Sequence, residues 1–456
     1  MGATTTARCI VVGAGVSGLA AAAELLRLGV EPLVLEAAPR VGGKIRSLRR
    51  AGFLMESGPQ AFLDRDAVVE RLAERLGIAD QLIEPLPAAR RRAVALHGRL
   101  CDVPTSPPML WRTPLLSGRA KLRLLGDLFV PRGSRTDESV AAFARRHFGA
   151  EAAERIFAPL MAGMFGGDAD QLSVGAALPS LVGFERTHGS VLVGAIRAAI
   201  GAPRKRLQTF VGGLEVLTGA LGEQLRDQLG LSTLVRGLRR TDHGWRVTFE
   251  DHGRAVELET SVVLLACPAH QAAPLLRSLD PGAADALAGI SYAPITVAWS
   301  SYPERSDALD RYGFLTAPSE PPGLLGAVFA SSAFPARAPA DRTLLATWVG
   351  GARHPELAAL DDVKLAAWVA SRLASLIQPH SRATFRHAFR HLHALPQYTA
   401  GHAGRVARIE AAEASLPGLF FVGAGYRGAS VADCVHEAHL VTDKIAHQLA
   451  QMRAAA

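Results

Sequence analysis

Three glycines and a glutamate are the residues of this 456-residue chain whose types and spacing point most directly to chemistry. Gly13, Gly15 and Gly18 form a GxGxxG run inside RCIVVGAGVSGLAAAAELLRLGVEPLVLEA, and Glu36 follows 23 residues after Gly13. Glycines so spaced let the backbone turn tightly and approach a pyrophosphate held at a helix N-terminus. An acidic side chain closing the next strand accepts hydrogen bonds from ribose hydroxyls. That chemistry requires a strand, a turn, a helix and a second strand in register. CIVV reads as a buried parallel strand, LAAAAELLRLG as a helix ending at Gly29, and EPLVLE as the second strand. The expected fold class is α/β, with a doubly wound nucleotide-binding layer of the Rossmann type.

The next segments are EAAPRVGGKIRSL and FLMESGPQAFL. They resemble the ExxxRxGG and ExGP elements of the flavin amine oxidase and phytoene desaturase superfamily, which implies FAD rather than NAD. On that resemblance the cofactor contacts are Gly13, Ala14, Gly15, Ser17, Gly18, Glu36 and Ala37 at the nucleotide end. Arg40, Gly43 and Lys44 would lie along the diphosphate, and Gly58, Pro59, Gln60 and Ala61 near the isoalloxazine. Val235, on the strand after QTFVGGLEVLTGALGEQL, joins them. PGLFFVGAGYRGASVADCVHEAHLVTDKIAHQL resembles the closing motif, with contacts from Ala424, Ala429, Ser430 and Val431. Helix N-terminal amides there would stabilise an anionic reduced flavin.

Within the superfamily, GMFGGDADQLSVGAALPSLVGFERTHGSVLVGAI resembles the oxygen-dependent protoporphyrinogen oxidases, as do FASSAFPARAP, LPQYTAGH and TWVGGARHPEL. A porphyrinogen is a puckered apolar macrocycle with propionates on one edge, so its site needs apolar walls and a cation. The resemblance gives Arg92 the propionate, and Leu315, Val328 and Trp348 the walls. Gly163 would bring its backbone against the macrocycle with Gly166 and Gly167, over a floor of Met164 and Phe165. Hydride transfer to FAD, with O2 as the final oxidant, needs no side-chain acid or base, so none is assigned. The departures are Gln60 where the family often has Asn, Ala93 where it has Tyr, and Ala424–Gly425 where it has Gly-Asn before the closing tyrosine. Coproporphyrinogen oxidation shares nearly every motif. An amine oxidase, a carotenoid desaturase and a non-catalytic flavin-binding partner also stay open.

Other features bear on setting. Four scattered cysteines without a CxxC pair argue against a disulfide framework or a zinc site and fit a reducing compartment. His436, Glu437 and His439 form HExH rather than HExxH, and no metal is expected. His387, His391 and His393 alternate as on a strand with one face to solvent. MGATTT leaves little room for a leader before the first strand. The net charge of +8 suits an acidic substrate or membrane surface, and no basic stripe interleaved with aromatics suggests nucleic acid. Residues 107–132 mix Leu, Met, Trp and Phe with Arg112, Arg119, Lys121 and Arg123, a basic amphipathic segment. The family associates with membranes through a helical domain here, which implies a cytoplasmic protein peripheral on the cytoplasmic face of the cell membrane. A homodimer and contact with the next haem-pathway enzyme complete the implied partners. The expected organisation is an FAD-binding domain from 5–85, 207–270 and 405–456. A substrate domain of mixed sheet and helices takes 86–100, 176–206 and 271–404, and a small helical membrane-associating domain takes 101–175.

Overall fold

The computed structural model describes residues 7–64, 66–130, 133, 137–200, 206–303, 309–379 and 381–455. The MGATTT stretch and residues 131–132 of the basic segment lie outside the described residues.

The fold is mixed α/β, built around two seven-stranded sheets. In the first, strand Ala7–Val12 runs parallel to Pro32–Glu36 on one side and to the end of Arg254–Leu265 on the other. Leu419–Phe421 extends the parallel set beyond Val263–Leu265. The first half of Arg254–Leu265 instead pairs antiparallel with Gly244–Asp251, which pairs with Thr233–Thr241. Alternation along the first strand sorts its side chains between two cores. Cys9 and Val11 face the helices Val16–Arg27 and Val431–Ala455, while Ile10 and Val12 face Ala269–Leu276 and Pro281–Ala288. Helices therefore cover both faces, as the doubly wound expectation requires.

The second sheet runs in the order Phe385–Pro396, Tyr292–Tyr302, Thr343–Gly350, Leu324–Phe329, Gly313–Thr316, Arg92–Leu96, Arg99–Asp102. All neighbours are antiparallel except Arg92–Leu96 against Gly313–Thr316. Helix Asp362–Ile377 closes one face with Leu365, Val369, Leu373 and Ile377, a four-residue spacing that makes one apolar stripe. The other face looks toward the hairpin Ser47–Arg50/Phe53–Glu56, against which Val297, Trp299, Val328 and Ala346 pack.

The structure moves several expected boundaries. Helices Pro179–His188 and Val191–Ala199 pack with Val140, Phe143, Met161 and Leu172, so residues to about 199 belong with the helical region rather than the substrate sheet. Residues 271–290 pack on the nucleotide sheet through Ala272, Ala273, Leu276, Ala283, Ala284, Leu287 and Ile290, and the second sheet takes over only at Tyr292. Small alanine faces sit close on a sheet, which keeps these helices on the first layer.

Candidate functional site

The glycine turn is shaped for close approach. A Cβ on Gly18 would lie 2.0 Å from the Gly13 carbonyl oxygen, so only glycine lets the helix start against the turn. Gly15 caps helix Val16–Arg27 without a side-chain hydrogen bond, and a Cβ there would meet nothing within 4 Å. The approach to the helix N-terminus at Gly15 is thus unobstructed, which fits a pyrophosphate. Glu36 sits at the rim, where Oε2 accepts from the Ala14 amide at 2.7 Å and Oε1 from the Ala38 amide at 2.8 Å. Each oxygen keeps a second lone pair for a ribose hydroxyl. Ala37 and Ser17 lie beside these groups in sequence, and Ser17 lies next to Cys434. That contact joins the first turns of helices Val16–Arg27 and Val431–Ala455 across one cleft. Ser430 and Asp433 cap the second helix reciprocally, with Oγ–H donating to Oδ2 at 2.6 Å and the Asp433 amide to Oγ at 3.1 Å. Val431 is buried in the same layer, whereas Ala429 packs against the helical region.

Arg40 and Lys44 diverge. The Arg40 guanidinium donates to the carbonyls of Gly43 at 2.7 Å and Val41 at 2.9 Å, so it folds its own loop. The Lys44 ammonium is half-buried 5.3 Å over the Tyr292 ring, and burial lowers its pKa. Gly43 approaches Gly15, and Gly58 lies against the Lys44 carbonyl. Gln60 is buried with its amide directed to the Gly58 carbonyl at 3.2 Å, beside Pro59 and Ala61. Val235 precedes a bulge and turns its side chain into the sheet core, leaving only its backbone to a ligand.

The segment leading into Gly58 is held by a network that the sequence did not reveal. Glu56 and Arg337 are buried and paired at 2.7 Å; Ser47 donates to Glu56 Oε2 at 2.7 Å, and the Leu214 amide to Oε1 at 2.9 Å. Arg337 also donates to Thr209 Oγ1 at 3.0 Å, and Trp299 Nε1 to the Glu56 carbonyl at 3.0 Å. Burial pushes the Glu56 carboxyl up, against the pull of Arg337 and its other donors. Removing one partner of such a pair costs about 3–5 kcal/mol. The only sequence signal was an arginine inside the apolar run SSAFPARAPA.

Facing this segment, the second sheet assembles the expected substrate residues on one side. Arg92 pairs with Gly313, which pairs with Val328; Leu315 pairs with Gly326, which pairs with Trp348. Because side chains alternate with period two, Arg92, Val328, Leu315 and Trp348 share a face. His391 lies two strands beyond, in register with Ile295, and its Nε2 lies 2.8 Å from the Ser57 carbonyl. His393 stacks on His270 at 4.3 Å and stays exposed, whereas His391 is only partly exposed. Arg90 pairs with Glu84 and Arg91 with Asp102, whereas Arg92 has no carboxylate partner among the described residues and lies over the Tyr312 ring at 5.9 Å.

Helix Ala158–Phe165 meets this sheet at Gly163, where an added Cβ would lie 2.3 Å from Leu315 Cδ2. Phe165 is two residues on, about 200° around the helix, and therefore faces the other way. It is buried beside Tyr398 in the helical core, which corrects the expectation that it lines the substrate. Gly166 and Gly167 have structural work instead. Gly166 ends the helix in the left-handed region at φ 57°, and its carbonyl accepts from Ala352 at 2.7 Å. Gly167 packs on Leu172 and Gln397.

Comparison with known proteins accounts for this arrangement. Residues 16–446 match the flavin-containing amine oxidoreductase family. The chain belongs to that family. It is an FAD oxidoreductase, and the cradle of Gly13–Gly18, Glu36 and the two helix starts is where its residues would hold FAD. A chloroplastic protoporphyrinogen oxidase of Nicotiana tabacum is 31% identical, with 96% of this chain and 85% of that one covered. A coproporphyrinogen III oxidase of Propionibacterium freudenreichii subsp. freudenreichii is also 31% identical, over 96% of this chain and 90% of its own. The solved structure of a proposed protoporphyrinogen oxidase from Exiguobacterium sp. 255-15 superposes with a TM-score of 0.83 at 26% identity, covering 98% of this chain and all of that one.

Proposed function

We propose that this protein oxidises protoporphyrinogen IX to protoporphyrin IX in haem biosynthesis. Bound FAD supplies the two-electron acceptor and its reoxidation by O2, so six electrons leave the substrate over three rounds with three H2O2 formed. The observation that carries the reading is the shared sheet face of Arg92, Val328, Leu315 and Trp348, opposite the segment Glu56–Gly58. Apolar side chains there would bury a macrocycle face, and Arg92, with no carboxylate partner among the described residues, offers a guanidinium for a propionate. Gly163 admits the helix to Leu315 without a side chain between them. The protein orients the substrate and excludes water; no side chain is required as an acid or base.

Coproporphyrinogen III is the second reading, favoured by the coproporphyrinogen oxidase relative at equal identity. Its two extra propionates need further cations, yet Arg90, Arg91 and Arg311 are drawn to Glu84 and Asp102. The test is the initial rate of porphyrin fluorescence when purified protein meets each porphyrinogen in air. Faster protoporphyrin formation is expected; faster coproporphyrin formation overturns the substrate assignment and leaves the FAD site untouched.

The helical region supports a peripheral seat on the cytoplasmic face of the membrane. Trp111, Leu122, Leu125, Leu128 and Phe129 are exposed there. Among the described residues no helix is long and apolar enough to cross a membrane.

A further inference from the structure

LPQYTAGH, residues 395–402, is a motif that neither the cofactor contacts nor the substrate face uses. Its two rings, Tyr398 and His402, stack at 4.2 Å with 22° between planes. Both are buried, and both hydrogen-bond carbonyls of the same distant turn. The Tyr398 hydroxyl donates to the Ala424 oxygen at 2.6 Å, and His402 Nε2 lies 3.0 Å from the Tyr426 oxygen. Burial holds the imidazole below its ordinary pKa, so it is neutral, and a nitrogen that close to a carbonyl oxygen carries the proton.

The turn these rings grip lies at the cofactor cleft. It follows strand Leu419–Phe421, which is parallel to Val263–Leu265, itself beside the Ala7–Val12 strand that leads into the glycine turn. Open parallel sheets bind ligands beyond the carboxyl ends of their strands, and the two helices that follow meet through Ser17 and Cys434. In a trans peptide the C=O and the next N–H point in opposite directions. A donor behind the Ala424 carbonyl therefore fixes the Gly425 amide, and one behind the Tyr426 carbonyl fixes the Arg427 amide. Neither amide has an acceptor among the described residues, although Gly425 is buried.

We propose that Tyr398 and His402 are positioning residues for FAD, holding residues 423–427 from behind so that the Gly425 and Arg427 amides are aimed at the cofactor. The pair is itself set by the helical region. Phe165 packs on the Tyr398 ring at 5.3 Å, and the Ser173 amide donates to the Tyr398 carbonyl at 2.8 Å. The geometry of the cofactor turn thus depends on a helical core belonging to a different layer. The proposal rests on the FAD assignment and is independent of which porphyrinogen is oxidised.

Tyr398→Phe keeps the stacked ring and deletes only the donor. The full-length holoprotein is titrated for FAD dissociation and for the two-electron midpoint potential of its bound flavin, with far-ultraviolet circular dichroism of the FAD-free protein as the folding control. The expected result is at least tenfold weaker FAD binding or a potential shift of about 30 mV, the equivalent of tenfold in a two-electron couple, with the fold retained. Complete loss of FAD from a folded variant counts the same way. Wild-type affinity and potential in Tyr398→Phe overturn the proposal. If Tyr398→Phe does not fold, His402→Gln and His402→Leu decide: glutamine keeps a donor and should hold FAD near the wild-type affinity, leucine should not, and equal behaviour of the two overturns the proposal. Porphyrinogen turnover does not enter these readouts. A protein inactive on both porphyrinogens would sink the substrate reading alone.

Discussion

At the scale of single residues, Arg92 is the most informative position. Three arginines stand in a row; residue type and spacing do not tell them apart, and only the family resemblance singles out Arg92. The fold separates them by giving Glu84 to Arg90 and Asp102 to Arg91, leaving Arg92 on the apolar sheet face over the Tyr312 ring with no carboxylate partner among the described residues. A hydrogen bond to a charged group contributes about 1.5–3 kcal/mol. Arg92→Gln should therefore raise KM for protoporphyrinogen by roughly tenfold to a hundredfold while the flavin absorbance spectrum stays unchanged. Steady-state kinetics on the FAD-saturated variant checks this. An unchanged KM would mean that the guanidinium is only a solvated neighbour of Tyr312.

At the scale of elements, the helical region is held by charges as much as by its apolar core. Arg146 bridges Glu138 and Glu185, each at 2.7 Å, and buried His147 lies between Asp127 and Glu185. Burial pushes Glu185 up, but hydrogen bonds from Arg146 and the Gly133 amide, with the charges of Arg146 and His147, outweigh it and hold the carboxyl below its usual value. A carboxyl depressed in the folded state contributes stability that is present above its unfolded pKa, near 4.3, and is lost as pH falls through the folded pKa. Hydrogen-exchange protection factors in Val140–Phe148 and Pro179–His188, corrected for the intrinsic rate at each pH, should therefore fall on acidification below about pH 4, and Glu185→Gln should be less protected at neutral pH with a smaller acid response. Parallel acid responses in the two proteins would count against this role. The same elements show what was legible beforehand. The strand–glycine–helix–strand unit is local, and its continuous apolar strand runs and glycine spacing survive as written. Phe165 was misread because its role depends on helix phase: the contact of Gly163 with Leu315 and the packing of Phe165 lie two residues and half a turn apart. Glu56 and Arg337 are 281 residues apart, and no local pattern joins them.

At the scale of the whole molecule, the helical region carries a run of large apolar side chains exposed within residues 111–129. Phe129 is 85% exposed and Leu122 62%, with Trp111, Leu125 and Leu128 about half exposed. Patches of this kind mark interaction sites on soluble surfaces. The net charge of +8 suggests an electrostatic attraction to anionic lipid, but the local cations are partly committed. Lys121 donates to the Trp111 and Thr113 carbonyls, each at 2.8 Å, and Arg123 to those of Arg146 at 2.7 Å and His147 at 3.0 Å. Apolar burial should then dominate over charge, at about 1.5–3 kcal/mol for each large side chain inserted. Co-sedimentation with vesicles containing anionic lipid should accordingly persist at high salt, where charge alone is screened. The double variant Leu122→Asp with Phe129→Asp should lose most of that binding, whereas Arg119→Gln should lose only the salt-sensitive part. Binding that vanishes at high salt in the unaltered protein would make the attraction electrostatic and leave the exposed apolar side chains to another partner.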